Sequence, residues 1–127
     1  MLVLKGSLVC WIVLCSLASI SGCGARSEQP QLGQVTGTVK LQDKPLPMAN
    51  VVFKPQTGRF SRGTTDASGQ YELTYIRHEK GALIGSHSVS ISTWTESTPE
   101  RVPRKYNVQT TLTAEVKQDD NTFDFNL

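Results

Sequence analysis

Apolar and polar residues follow two different patterns along this chain, and the change between them divides it. Residues 8–20 (LVCWIVLCSLASI) form one nearly unbroken apolar run behind a single basic side chain, Lys5, and small residues follow at Ser21 and Gly22. From Gly33 onward the period is two, the signature of strands with one buried face. Val35, Gly37, Val39 and Leu41 share a face, with Thr36, Thr38 and Lys40 opposite. The same alternation places Val51, Phe53 and Pro55 on one side, then Tyr71, Leu73 and Tyr75. It continues through Val89, Ile91 and Thr93 over residues 86–94, through Leu112, Ala114 and Val116, and through Phe123, Phe125 and Leu127. A further short strand is predicted at 61–65.

Turn chemistry separates these segments. Gln42-Asp43-Lys44-Pro45 joins an aspartate to a proline of fixed φ, and Asp66-Ala67-Ser68-Gly69 ends on a glycine free to take positive φ. Asp119-Asp120-Asn121 is predicted to close a hairpin between the last two strands. No helical period of useful length follows the leading apolar run. Short strands with turns between them predict an all-β, antiparallel sandwich of six or seven strands. Its expected core is Val39, Leu41, Phe53, Leu73, Val89, Ile91, Val116, Phe123 and Phe125.

The leading run has the order of a secretory signal peptide: charge, apolar core, small residues. A spanning helix needs roughly 20 apolar residues, more than this run supplies. Ile20-Ser21-Gly22-Cys23 resembles the bacterial lipobox, which implies cleavage before Cys23 and diacylglyceryl and acyl (palmitate-type) chains on that cysteine. Ordinary cleavage after Ala25 is the alternative. The domain plan is therefore a signal peptide at 1–22, a lipidated Cys23 with a flexible tether at 23–32, and a folded domain at 33–127. A tether of that length reaches roughly 15–18 Å, which keeps the domain near the lipid surface of the cell envelope, facing the periplasm or the exterior.

Charge and cysteine count narrow the chemistry. Thirteen Lys+Arg against eleven Asp+Glu give no basic excess for nucleic acid. Two of the three cysteines, Cys10 and Cys15, lie in the leader, so a chain beginning at Cys23 has neither an internal disulfide nor a cysteine zinc site.

The quoted turns and strands resemble a known family. Gly37-Thr38-Val39, then Lys44-Pro45-Leu46-Pro47-Met48-Ala49-Asn50-Val51-Val52-Phe53, then Thr65-Asp66-Ala67-Ser68-Gly69-Gln70-Tyr71, are similar to the carboxypeptidase regulatory-like domain. Val102-Pro103-Arg104-Lys105-Tyr106-Asn107, Leu112-Thr113 and Asn121-Thr122-Phe123-Asp124-Phe125 resemble the tail of envelope lipoproteins carrying that domain. The resemblance spans 33–127 and implies a seven-stranded transthyretin-like (prealbumin-like), Greek-key sandwich that accompanies catalytic domains without being catalytic. An enzymatic branch of this fold, acting on 5-hydroxyisourate, ends in Tyr-Arg-Gly-Ser. This chain ends Asp124-Phe125-Asn126-Leu127, so that branch's sites do not carry over.

Candidate chemistry is sparse. His78 sits in a polar stretch, His87 is in phase with Val89 and faces the rim of the core, and two histidines without a third ligand make no metal site. Asp66-x-Ser68-Gly69 lacks the later ligands of a calcium loop and reads as an Asx turn. No serine lies in a Gly-x-Ser-x-Gly elbow, and no nucleophile–base pair is evident, so neither enzyme activity nor a cofactor is expected. Trp94 breaks the inward phase at the end of its strand. Either it packs beneath the following long loop, 95–109, pinned by Pro103 and Tyr106, or it stacks on a ligand. On the second reading Trp94, Arg101, Arg104 and Tyr106 form a glycan or peptide site. On the first, the protein is a binding or structural module for an envelope protein partner.

Overall fold

A computed structural model describes residues 30–127. The leader, Cys23 and the tether up to residue 29 lie outside the described residues. The described chain is all-β, with twelve short strands in two sheets and no α-helix; its one helical turn is a 3-10 segment, Arg104–Tyr106.

The first sheet is built around its longest strand, β1 (Leu32–Leu41). Three short strands, β2 (Lys44–Pro45), β5 (Gln70–Glu72) and β8 (Ala82–Leu83), pair with it antiparallel. Two more, β11 (Asp120–Thr122) and β12 (Phe125–Asn126), run parallel to it. Thr36 thus has Glu72 on one side and Thr122 on the other. The second sheet runs in the order β10 (Thr113–Val116), β9 (Gly85–Ser92), β3 (Asn50–Pro55), β4 (Ser61–Thr64), β6 (Thr74–Ile76), β7 (Glu79–Lys80), antiparallel throughout.

Two segments read as simple strands and turns behave differently. Tyr71 and Leu73 point inward as the alternation requires, whereas Tyr75 is half-buried like Thr74 and Ile76 beside it. The chain changes sheets at Leu73: β5 pairs with β1, while β6 pairs with β4. The hairpin expected at 119–121 is instead a crossover. β10 joins β9 in the second sheet, and β11 joins β1 in the first. Asp119 takes φ +78 there, and the Asn121 side chain receives the Lys117 N–H (2.9 Å) and donates to the Gln34 and Lys117 carbonyls (3.0 and 2.8 Å). Alternation fixes which face of a strand is buried; it carries no information on which neighbour the strand takes.

The other turns follow local chemistry. Gln42 and Asp43 both take positive φ, the backbone of a tight two-residue hairpin, between β1 and β2. Asp66 Oδ1 accepts the N–H groups of Ser68 (2.9 Å) and Gln70 (3.0 Å), an Asx turn, and Gly69 follows at φ +76.

Inward residues from both sheets make one core. Val35, Val39, Val51, Phe53, Leu73, Val89 and Ile91 are all 0% exposed. Phe53 sits at the centre, its ring 5.8 Å from that of Phe123, 6.4 Å from Phe125 and 5.7 Å from His87. Fully burying such a side chain stabilises by about 1.5–3 kcal/mol. Leu41, Phe123 and Phe125 are only half-buried and pack around this centre. Leu46, Ala49, Ala82 and Val102, all outside the expected set, are buried. Gly37 permits a close approach: a Cβ there would lie 1.9 Å from the Phe123 carbonyl oxygen. The Tyr71 hydroxyl donates to that same oxygen at 2.6 Å.

Candidate functional site

Trp94 lies just past the end of β9, two residues beyond Ser92 in the outward phase, and is 62% exposed. It does not pack beneath the loop that follows, as the packing reading required. From the loop it is Val102 that enters the core, at 3% exposed. With that place filled, the indole remains outside, beside Val108, which is 71% exposed.

A single carboxylate folds the loop back onto the strand. Glu100 Oε1 accepts the Thr93 N–H (2.8 Å), the Thr93 hydroxyl (3.0 Å) and the Val102 N–H (3.0 Å), while Oε2 accepts the Ser92 hydroxyl. Thr93, itself buried, also accepts the Arg101 N–H at 2.8 Å. Partial burial pushes the Glu100 carboxyl up, but the hydrogen bonds from Ser92, Thr93 and Val102 outweigh it and hold it at about 2. Much of the side chain faces water, so solvent screens part of this effect.

Asn107 makes the second clamp. Its Nδ2 faces the carbonyls of Ile91 (3.4 Å), Val102 (3.2 Å) and Pro103 (3.2 Å), and its Oδ1 accepts the Val108 N–H at 2.8 Å. Between these clamps runs the 3-10 turn Arg104–Tyr106, which carries Arg104 to the rim.

The result is a groove of about 520 Å³ lined by Ser90, Ser92, Trp94, Glu100, Arg104, Asn107 and Val108. Its size lies within the range of about 300–1,000 Å³ usual for small-ligand sites. Of the four residues expected to form a site, the groove unites Trp94 with Arg104. The other two are directed elsewhere. Arg101 Nη2 donates to the Pro47 carbonyl at 3.3 Å, and Tyr106 packs half-buried against the core with Lys105 Nζ 5.0 Å from its ring centre. Glu100 and Asn107 were not singled out from sequence. Their partners are main-chain groups brought near by the fold, and no spacing announces such contacts.

The groove and the start of the described chain stand at opposite ends of β9. The Gln31 carbonyl accepts the Ile84 N–H (3.3 Å) and Leu32 pairs with Leu83, so β9 begins beside the chain's entry. At roughly 3.3 Å per residue, Trp94 is roughly 25–30 Å further on.

The remaining chemistry is dispersed. His78 is exposed. His87, expected at the rim, lies within the core at 2% exposed, donating from Nε2 to the Leu83 carbonyl at 2.6 Å; its Nδ1 has no partner among the described residues. Among the described residues no three His, Cys, Asp or Glu side chains gather to hold a metal. A larger depression, about 670 Å³, lies against the outer face of the first sheet around Thr36, Thr38, Gln70 and Asp124. Its acidic groups are engaged within the fold: Asp66 in its turn, Asp124 by the Thr38 N–H (2.8 Å) and Glu72 by Lys80 (3.3 Å). Compared with known proteins, the chain matches no family model and no curated protein.

Proposed function

We propose that this chain is a lipid-anchored envelope protein whose sandwich, of the carboxypeptidase regulatory-like, transthyretin-like type, is a non-catalytic binding module. Cys23 holds it to the membrane through its acyl chains, each buried methylene contributing about 0.8 kcal/mol. The Trp94 groove lies across the length of β9 from Gln31 and Leu32, where the described chain enters the fold. The observation that carries this reading is the exposure of Trp94, 62%, over a loop that Glu100 clamps to the strand. A large aromatic left in water on a fixed floor is a ready stacking surface.

Two experiments test it. Radiolabelled palmitate enters the wild type and not Cys23→Ala; label persisting in the variant rejects the anchor. Cross-linking the tagged protein in intact envelopes, followed by mass spectrometry, recovers a ligand or partner that Trp94→Ala fails to hold while keeping its unfolding midpoint. Equal recovery by the variant moves the contact away from the groove.

A second reading, an adapter that binds an envelope protein, is favoured by the two outer strands of the second sheet, β7 and β10, each paired on one side only. It predicts loss of the partner on changes to those strands and indifference to Trp94.

A further inference from the structure

We propose that the Trp94 groove takes an acidic saccharide, one sugar ring stacked on the indole and its carboxylate paired with the Arg104 guanidinium. This deepens the groove reading above and rests on it.

The inference comes from what the groove's own hydrogen bonds leave free. Glu100 is saturated by Ser92, Thr93 and Val102. Asn107 directs its amide to three carbonyls and its oxygen to the Val108 N–H. The Ser92 hydroxyl donates to Glu100 and accepts the Trp94 N–H at 3.2 Å. What remains for a ligand is the indole, the Val108 side chain, the Ser90 hydroxyl and the Arg104 guanidinium. Arg104 has no side-chain hydrogen bond or ion pair among the described residues, and Lys80–Glu72 is the only salt bridge among them.

Charge selects the ligand class. Four neutral donors occupy the Glu100 oxygens without cancelling its charge, so it has no acceptor left to offer. Every N–H of the Arg104 guanidinium is still open among the described residues, so the charged group left to select a ligand is the positive one. A guanidinium binds a planar carboxylate through two parallel N–H···O bonds, a geometry no neutral hydroxyl reproduces. The indole and Val108 offer an apolar plane to the C–H face of a ring.

A peptide is disfavoured by the state of the strand beneath. Peptides bound to sheets draw on free main-chain groups at an edge. Here β9 is paired with β3 through Ser92 on one side. On the other, beyond the Ser88–Thr113 pair, the Val89 carbonyl accepts the Thr110 hydroxyl (2.5 Å), the Val89 N–H donates to Leu112 (2.9 Å), and the Ile91 carbonyl faces Asn107. Three of the main-chain groups that a peptide would pair with along this side of β9 are therefore already engaged.

The test is calorimetric titration of the full-length protein in detergent with short oligomers of galacturonate and of glucuronate. Their methyl esters and a peptide with a free C-terminal carboxylate serve as comparisons. An acidic oligomer binds the wild type, its methyl ester binds about tenfold more weakly, and Arg104→Gln weakens the acid by a similar factor with no effect on the ester. The unfolding midpoint of Arg104→Gln matches the wild type. Acid and ester binding alike, or the peptide alone binding, overturns the proposal. So does silence from every acidic oligomer. If Trp94→Ala still loses material that the wild type recovers from envelopes, the groove reading survives that failure. If it does not, both fall.

Discussion

Glu100 Oε1 lies 2.8 Å from the main-chain nitrogen of Thr93 and 3.0 Å from its hydroxyl, so a loop carboxylate closes the end of a core strand. Thr93 is 2% exposed, and Val102, whose N–H meets the same oxygen, is 3% exposed. The position of Trp94 therefore depends on a charge held at Thr93, the buried residue immediately before it.

That dependence has a pH signature. The hydrogen bonds lower the Glu100 carboxyl from 4.5 to about 2 in the fold. A depressed acid contributes stability above its unfolded value, lost as pH falls from that value through the folded one. Glu100→Gln is expected to be less stable than wild type at neutral pH by about 1 kcal/mol, a figure reduced for screening of this exposed side chain. The difference narrows between about pH 4.5 and pH 2. Urea unfolding across that range checks it; a difference independent of pH means the clamp does not need the charge.

Phe53 and Phe125 separate the centre of the core from its rim. Phe53 is 0% exposed and touches rings from both sheets, so Phe53→Ala is expected to cost about 3–5 kcal/mol. Full burial of Phe125 would give the same cost, but its half-buried place reduces the expectation to about 1–3 kcal/mol. Equal costs measured by chemical denaturation contradict the ring arrangement.

Gly37→Ala gives a test by sign. In an ordinary strand alanine is favoured over glycine by about 0.5–1 kcal/mol. Here the added Cβ meets the Phe123 carbonyl oxygen at 1.9 Å, main chain that cannot step aside. A loss of about 2–3 kcal/mol is expected. Thermal unfolding showing a gain rejects the close packing of the last strands against β1.

The fold's inward faces were readable because burial imposes a period of two on each strand separately, and Val35, Val39, Val51, Phe53, Val89 and Ile91 all obey it. Pairing was not readable. Leu73 looks like any inward residue although the chain changes sheets there, and Asp119-Asp120-Asn121 carries hairpin chemistry in a crossover. At the groove, Trp94 announced itself by breaking phase next to a long loop. Arg101 and Tyr106 shared that loop and pointed elsewhere, since position in a loop does not set direction. Glu100 and Asn107 were silent because their partners are peptide groups, which every residue carries.

Tyr71 provides an alkaline counterpart to Glu100. It is 4% exposed, its hydroxyl donates to the Phe123 carbonyl at 2.6 Å, and its ring stacks on Phe125 with centres 6.5 Å apart. Burial, and secondarily the negative charge of Asp124, push its ionisation well above the ordinary tyrosine value of 10.0. A raised acid keeps its proton in the fold after the unfolded chain has begun to lose it. Its contribution is thus complete below about pH 10 and falls as pH rises further. At neutral pH, Tyr71→Phe leaves the Phe123 carbonyl without this donor and is expected to cost about 1–2 kcal/mol. Above about pH 10 the wild type loses a contribution that the phenylalanine variant never had, so the difference between them shrinks. Urea unfolding of the pair at neutral and alkaline pH reads the difference directly; a difference that stays constant places the Tyr71 hydroxyl in contact with water and removes it from the seam between β5 and the last strands.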